Sequence, residues 1–149
     1  MDHVMEAGRL FLEGYNCSQA VLGAFSDVTG MDFETSMKLS SSFGGGMGRM
    51  REVCGAVSGM FMVAGLILGY TDPKDDKLKA KHYALIQKLS EKFKEKFGTI
   101  ICRELLVNIK HDTSNVPTKR DEEFYKKRPC LRFVETAAQI IDEILDENN

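Results

Sequence analysis

The sequence contains no pattern typical of a β-strand and no marked excess of either charge. Apolar and polar residues do not alternate with a period of two over any useful length, which argues against a sheet. The 20 Lys and Arg residues are nearly balanced by 22 Asp and Glu residues, so the formal net charge is only −2. Nucleic-acid-binding proteins usually carry a basic patch. We therefore expect an all-α protein that does not bind nucleic acid.

Local cysteine motifs are also missing. The sequence has four cysteines, Cys17, Cys54, Cys102 and Cys130, but no Cys-x-x-Cys pair. This absence excludes the sequence motifs of thioredoxin-like dithiols, zinc ribbons and ferredoxins. Any site that the cysteines share must therefore be assembled by the fold.

Neither a secretory signal nor a membrane span is evident. An acidic residue follows Met1, and no apolar stretch ends in a cleavage motif. We therefore expect a cytoplasmic protein, whose thiols are kept reduced. The run 53–70 carries no charge, but its four glycines make its hydropathy modest. We expect this run to form a buried central helix rather than a membrane span.

Helical periodicity recurs along the chain. The central helix is expected from about Arg51 to Gly69, after a flexible loop at residues 44–48. A long amphipathic helix is expected to follow, capped by Asp72 and stopped by Gly98. These signals predict one domain over residues 1–149, a bundle of about six helices around a buried, glycine-rich central helix.

Each cysteine falls in the first turn of a predicted helix. Cys17 directly follows the predicted cap Asn16, and Cys130 directly follows Pro129, which precedes the final predicted helix. Cys54 lies near the start of the central helix, and Cys102 comes three residues after a cap. Free N–H groups and the positive end of the helix dipole stabilise a thiolate at such positions. Several arginines in the neighbouring sequence should strengthen the effect: Arg49, Arg51, Arg103, Arg128 and Arg132.

Four segments resemble the C-GCAxxG-C-C family of redox-active proteins. They are residues 16–20, 54–59, 102–106 and 129–130. The resemblance covers nearly the whole chain and gives each of the four family cysteines a counterpart. It implies a helical, redox-active protein, often encoded beside transporters or oxidoreductases, and it supplies no substrate.

Three hypotheses for the function stay open. In the first, Cys17, Cys54, Cys102 and Cys130 are catalytic thiols that exchange disulfides with a small thiol or disulfide, or with a redox partner protein. In the second, the same four thiolates bind a 2Fe–2S cluster for electron transfer, or a zinc ion. In the third, the protein is a non-catalytic accessory bundle of a transporter or an oxidoreductase.

Cys54 is expected to be the most reactive thiol, because glycines and arginines surround it in the sequence. Gly55 and Gly59 are predicted to allow close packing around Cys54 and to shape any cofactor site there. A homodimer is also expected, because closed dimers are the commonest oligomers of soluble proteins.

Overall fold

The computed structural model describes residues 2–107 and 112–148, apart from the side chains of Lys126 and Lys127. Within these ranges the chain forms helices without any strand, which confirms the all-α expectation, and its nine helices exceed the predicted number of about six. A short 3-10 turn spans Ser41–Phe43. The helices are α1 (His3–Leu12), α2 (Cys17–Ala24), α3 (Ser26–Thr29), α4 (Phe33–Ser40), α5 (Gly55–Leu68), α6 (Asp76–Phe97), α7 (Cys102–Leu105), α8 (Glu122–Lys127) and α9 (Cys130–Glu147).

Helix α2 lies at the centre of the bundle, where it packs against α1, α4, α5 and α9. Its residues Ala20, Val21 and Leu22 are completely buried. The start of α2 is fixed by a capping box between Asn16 and Gln19. The Asn16 side chain accepts from the Gln19 N–H, and the Gln19 side chain accepts from the Asn16 N–H. These bonds make Cys17 the first residue of the helix.

The uncharged run 53–70 forms α5, the expected glycine-rich helix, which packs against the central helix α2. Residues 55–60 are buried on every side, whereas Leu66 near the other end is 45% exposed. The helix begins at Gly55, later than the predicted start near Arg51. In the part of the chain that the structure describes, no helix combines the length and apolar character needed to cross a membrane.

The long helix α6 begins at Asp76, so the predicted start at Asp72 is wrong. The Asp75 side chain caps the helix by accepting from the Leu78 N–H. Asp72 instead accepts from the Lys74 N–H, two residues further on, and so stabilises the preceding turn. The competition between two nearby aspartates decided this boundary.

Helix α8 lies in a polar stretch for which no helix was predicted. Its N-cap is Asp121, whose side chain accepts from the Phe124 N–H. In the sequence before it, residues 108–120 lack helical periodicity and include Pro117, which predicts an irregular segment. Residues 112–120 are irregular, and residues 108–111 lie outside the described part of the chain.

Candidate four-cysteine site

All four cysteines lie at helix starts, on four different helices. Cys17, Cys102 and Cys130 are the first residues of α2, α7 and α9. Cys54 is the N-cap residue of α5. All four are free thiols. The helix signals in the sequence therefore located each cysteine to within its first turn.

The four cysteines line a single cavity of about 570 Å³. A cavity of this volume is typical of small-molecule sites. Cys54 and Cys102 are only 4% and 7% exposed, and Cys17 and Cys130 are half-buried. The fold thus brings together four residues that share no local sequence motif.

An antiparallel contact ties the start of α5 to the start of α7. Val53 and Ile101 form an isolated β-bridge. The N–H of Cys54 donates to the carbonyl oxygen of Ile100 at 2.8 Å, and the N–H of Cys102 donates to the carbonyl oxygen of Glu52 at 2.6 Å. Because both bonds involve a cysteine N–H, they fix the backbone of Cys54 relative to that of Cys102.

Residues 44–51, which we call the left-handed turn, replace the flexible loop expected from the glycines. Every residue from 45 to 49 has a positive φ, between 60° and 70°. Backbone hydrogen bonds hold the turn, among them that from the Glu52 N–H to the carbonyl oxygen of Gly46 at 2.9 Å. Three residues of the turn that are not glycines have positive φ: Met47, Arg49 and Arg51. Non-glycine residues adopt this conformation only where the surroundings enforce it. The turn directs Arg51 inward, where it is 3% exposed.

Gly55 and Gly59 allow α2 to approach α5 closely. A Cβ atom on Gly55 would lie within 3.0 Å of both the Cys17 sulfur and the carbonyl oxygen of Phe43. A Cβ atom on Gly59 would lie 2.9 Å from the carbonyl oxygen of Ser18. Gly55 lines the cavity, whereas Gly59 packs against Ser18 and Val21 of α2. Both glycines therefore help to bring Cys17 against the start of α5.

Burial dominates the electrostatics of the thiols. It raises the pKa of Cys54 well above its ordinary value, raises the pKa of Cys102, and raises the pKa of Cys130 to about 12. Repulsion from Cys17 raises the pKa of each of these three thiols further. The expectation that a helix start favours the thiolate is therefore wrong for these three. Desolvation outweighs the backbone N–H groups at Cys54 and the nearby arginines at Cys102 and Cys130.

Arg51, which lies near Cys54 in the sequence, acts on Cys102 instead. Nη1 of Arg51 lies 3.9 Å from Sγ of Cys102, and it lowers the pKa of that thiol against the effect of burial. The groups that lower the pKa of Cys54 are the backbone N–H groups of Val57 and Ala56. The arginine on which the expected reactivity of Cys54 rested therefore faces Cys102 in the structure.

The remaining basic residues divide between the site and the surface. Arg103 pairs with Glu52, and the guanidinium of Arg132 stacks 5.6 Å from the centre of the Phe97 ring. Arg128 lowers the pKa of both Cys102 and Cys130. Arg120 also lowers the pKa of Cys130 and lines the cavity. The sequence analysis missed Arg120, because nothing in the local sequence links it to a cysteine.

Replacing Arg51 tests the assignment of its charge to Cys102. We expect Arg51→Met to slow alkylation of Cys102 by roughly tenfold at neutral pH, since a hydrogen bond to a charged group contributes about 1.5–3 kcal/mol. Arg103→Met is the matched control, because Arg103 is next to Cys102 in sequence but pairs with Glu52. Residue-resolved mass spectrometry after iodoacetamide treatment measures both rates. Equal slowing in the two variants would contradict the assignment.

The raised pKa of Cys130 predicts an unusual pH dependence. Its shift from 9.0 to about 12 should make the alkylation rate of Cys130 rise steadily between pH 7 and pH 10. In the denatured protein the rate should level off near pH 9. Above that pH the folded state binds more protons than the unfolded state, so its stability should fall as the pH rises towards 12. A plateau near pH 9 in the folded protein would contradict this prediction.

The positions of the cysteines do not fit a metal centre. Among residues 2–107 and 112–148, no three His, Cys, Asp or Glu side chains lie close enough together to hold a metal ion. A tetrahedral thiolate site needs its sulfurs about 2.3 Å from the metal. The arrangement therefore gives no support to a 2Fe–2S cluster or a zinc ion on Cys17, Cys54, Cys102 and Cys130.

The fold and the site define an all-helical protein in which four helix starts bring four thiols to one cavity. The chain belongs to the family described as "Putative redox-active protein (C_GCAxxG_C_C)", whose model matches residues 15–144. The matched range includes all four cysteines. No curated protein and no solved structure matches the chain.

Proposed function

We propose that the protein is a thiol oxidoreductase that reduces a small disulfide in the four-cysteine cavity. One observation carries the proposal: four free thiols from four helices line a cavity of about 570 Å³, large enough for a small molecule. Membership of a redox-active family supports the class of chemistry. The family description names neither a substrate nor the reacting groups, so both are part of our proposal.

Cys102 is the proposed attacking thiol, because the guanidinium of Arg51 stabilises its thiolate. Its sulfur attacks one sulfur of the substrate disulfide, which forms a mixed disulfide and expels the first substrate thiolate. The expelled thiolate takes up the proton that Cys102 released. Because burial raises the pKa of Cys102, the thiol form predominates at neutral pH, and the rate should increase with pH.

Cys17 is the proposed resolving thiol. It is half-buried and lines the same cavity as the other three thiols, each of whose pKa values it raises. Its thiolate attacks the sulfur of Cys102 in the mixed disulfide and expels the second substrate thiolate, which takes up the proton from Cys17. Two protein thiols are thus oxidised to one disulfide, while one substrate disulfide is reduced to two thiols.

A single-turnover reaction with bis(hydroxyethyl) disulfide, an uncharged probe, tests this proposal. The reduced protein should release hydroxyethyl thiol and form a disulfide between Cys17 and Cys102, which peptide mapping identifies. Cys17→Ser should stop at the mixed disulfide, visible as an added mass on Cys102. Lys88→Ala is the control, since Lys88 pairs with Glu147 on the surface. An unreactive wild type, or a Cys17→Ser protein without the adduct, would contradict the proposal.

A further inference from the structure

Among the described residues that line the cavity of the four thiols, the charged ones are all arginines. Four of its lining residues are arginines, and none of the lining residues in the described part of the chain is Asp or Glu. Two of the arginines lie in the left-handed turn, and the other two lie on either side of α8. They are Arg49, Arg51, Arg120 and Arg128.

Arg51 is the most deeply buried of these cations, at 3% exposure. Its Nε and Nη2 donate to the carbonyl oxygen of Asp112 at 3.2 and 3.1 Å, and its Nη1 faces Cys102. Among the described residues, no carboxylate lies within ion-pair distance of it. Arg51 lowers the pKa of Asp112, but that carboxylate already pairs with Arg49. A buried guanidinium without an ion pair of its own is costly to desolvate. An anion in the cavity would offset that cost.

Arg120 is held by neutral groups. It donates to the carbonyl oxygens of Phe11 and Tyr15, and its guanidinium lies 4.6 Å from the Phe11 ring centre and 4.7 Å from that of Phe124. No described carboxylate is paired with it. Carbonyl groups and aromatic rings therefore hold the guanidinium in place. They carry no negative charge that would neutralise it.

Arg128 is held in the same way. Its guanidinium lies 4.8 Å from the Phe124 ring centre, and it donates to the Thr118 hydroxyl at 3.5 Å. Burial, followed by repulsion from Arg51 and Arg49, lowers the pKa of Arg128. Of the four cavity arginines, Arg49 alone forms an ion pair with a carboxylate of the described residues, that of Asp112 at 3.1 Å. The positive charge at the cavity therefore exceeds the negative charge around it.

We infer that the cavity takes an anionic small molecule and, on the proposed function, that the substrate is a disulfide carrying two carboxylates. The arginines would bind the carboxylates by charge-assisted hydrogen bonds. Apolar lining residues, Leu105, Leu106 and Phe133, would contact the carbon chain. The exchange reaction is unchanged: two protein thiols become a disulfide as the substrate yields two carboxylate-bearing thiols.

Disulfides of similar size but different charge test the preference. Dithiodipropionate, bis(hydroxyethyl) disulfide and cystamine are anionic, neutral and cationic at pH 7. The wild type should oxidise about tenfold faster with dithiodipropionate than with the neutral probe, and slowest with cystamine. Arg128→Gln should reduce that preference, whereas Arg103→Gln, outside the cavity, should retain it. Equal rates for the three probes would overturn the inference.

Suberate separates the binding inference from the redox proposal. It has the chain length of dithiodipropionate, with carbon in place of both sulfurs, so it cannot undergo disulfide exchange. Calorimetry should show that the wild type binds suberate and not octanediol, and that Arg128→Gln weakens suberate binding about tenfold. Suberate binding without any disulfide exchange would support the anion site and contradict the proposed function. Absence of suberate binding, or binding that is unchanged in Arg128→Gln, would overturn the anion site.

Discussion

Gly46→Ala should destabilise the protein by roughly 3 kcal/mol and disturb Cys102. Gly46 has a φ of 70°, a conformation that costs an L-residue about 1–2 kcal/mol. A Cβ atom there would also lie 2.7 Å from Cβ of Cys102 and 2.8 Å from Cα of Arg51. Such overpacking adds about 1–3 kcal/mol. Denaturant unfolding measures the loss, and alkylation of Cys102 measures the disturbance.

Gly48→Ala is the matched control in the same turn. Gly48 has a φ of 60°, but a Cβ atom on it would meet nothing closer than the carbonyl oxygen of Ser42 at 3.8 Å. This variant should lose only the backbone contribution, about 1–2 kcal/mol, and should leave the reactivity of Cys102 unchanged. Equal destabilisation of the two variants would mean that Gly46 does not pack against the site as described.

Gly55→Ala is expected to lower the free energy of unfolding by about 1–3 kcal/mol, because the added methyl group overlaps the Cys17 sulfur and the carbonyl oxygen of Phe43. The carbonyl oxygen belongs to the backbone and has little freedom to move. Cys17 would therefore be displaced from the start of α5. The thiol reactivity of Cys17, followed by alkylation, should change together with the stability.

Gly65→Ala on the same helix provides the contrast. Gly65 is exposed, and a Cβ atom on it would meet nothing within 4 Å. Replacing glycine by alanine inside a helix should raise the stability by about 0.5–1 kcal/mol. If both variants were equally stable, the close approach of α2 to α5 at Gly55 would be refuted.

The sequence identified the helix starts better than the site that they form. The capping signal before Cys17 is local, since Asn16 bonds its near neighbour Gln19, and Pro129 marks the start of α9 without a side-chain cap. The convergence of four helices on one cavity depends on long-range packing, which leaves no local pattern. Arg120 shows the same limit, because only the fold brings it to the cavity that contains Cys130.

Two features of the site could not be predicted because tertiary structure overrides the local preference. A run of glycines is typical of a flexible loop, but the left-handed turn also includes Met47, Arg49 and Arg51, which rarely adopt positive φ. The second feature is the protonation state of the thiols. Helix starts favour thiolates, but burial, which the sequence does not report, raises the pKa of Cys54 well above its ordinary value.

The most direct test of the account is the disulfide map of the protein after partial oxidation with diamide. If the four thiols share one cavity and exchange disulfides there, the first product is a chain with an internal disulfide between Cys17 and Cys102 and no disulfide to another chain. Peptide mapping by mass spectrometry identifies this link. Disulfide-linked dimers alone, or thiols that are blocked singly without any internal disulfide, would contradict the central claim.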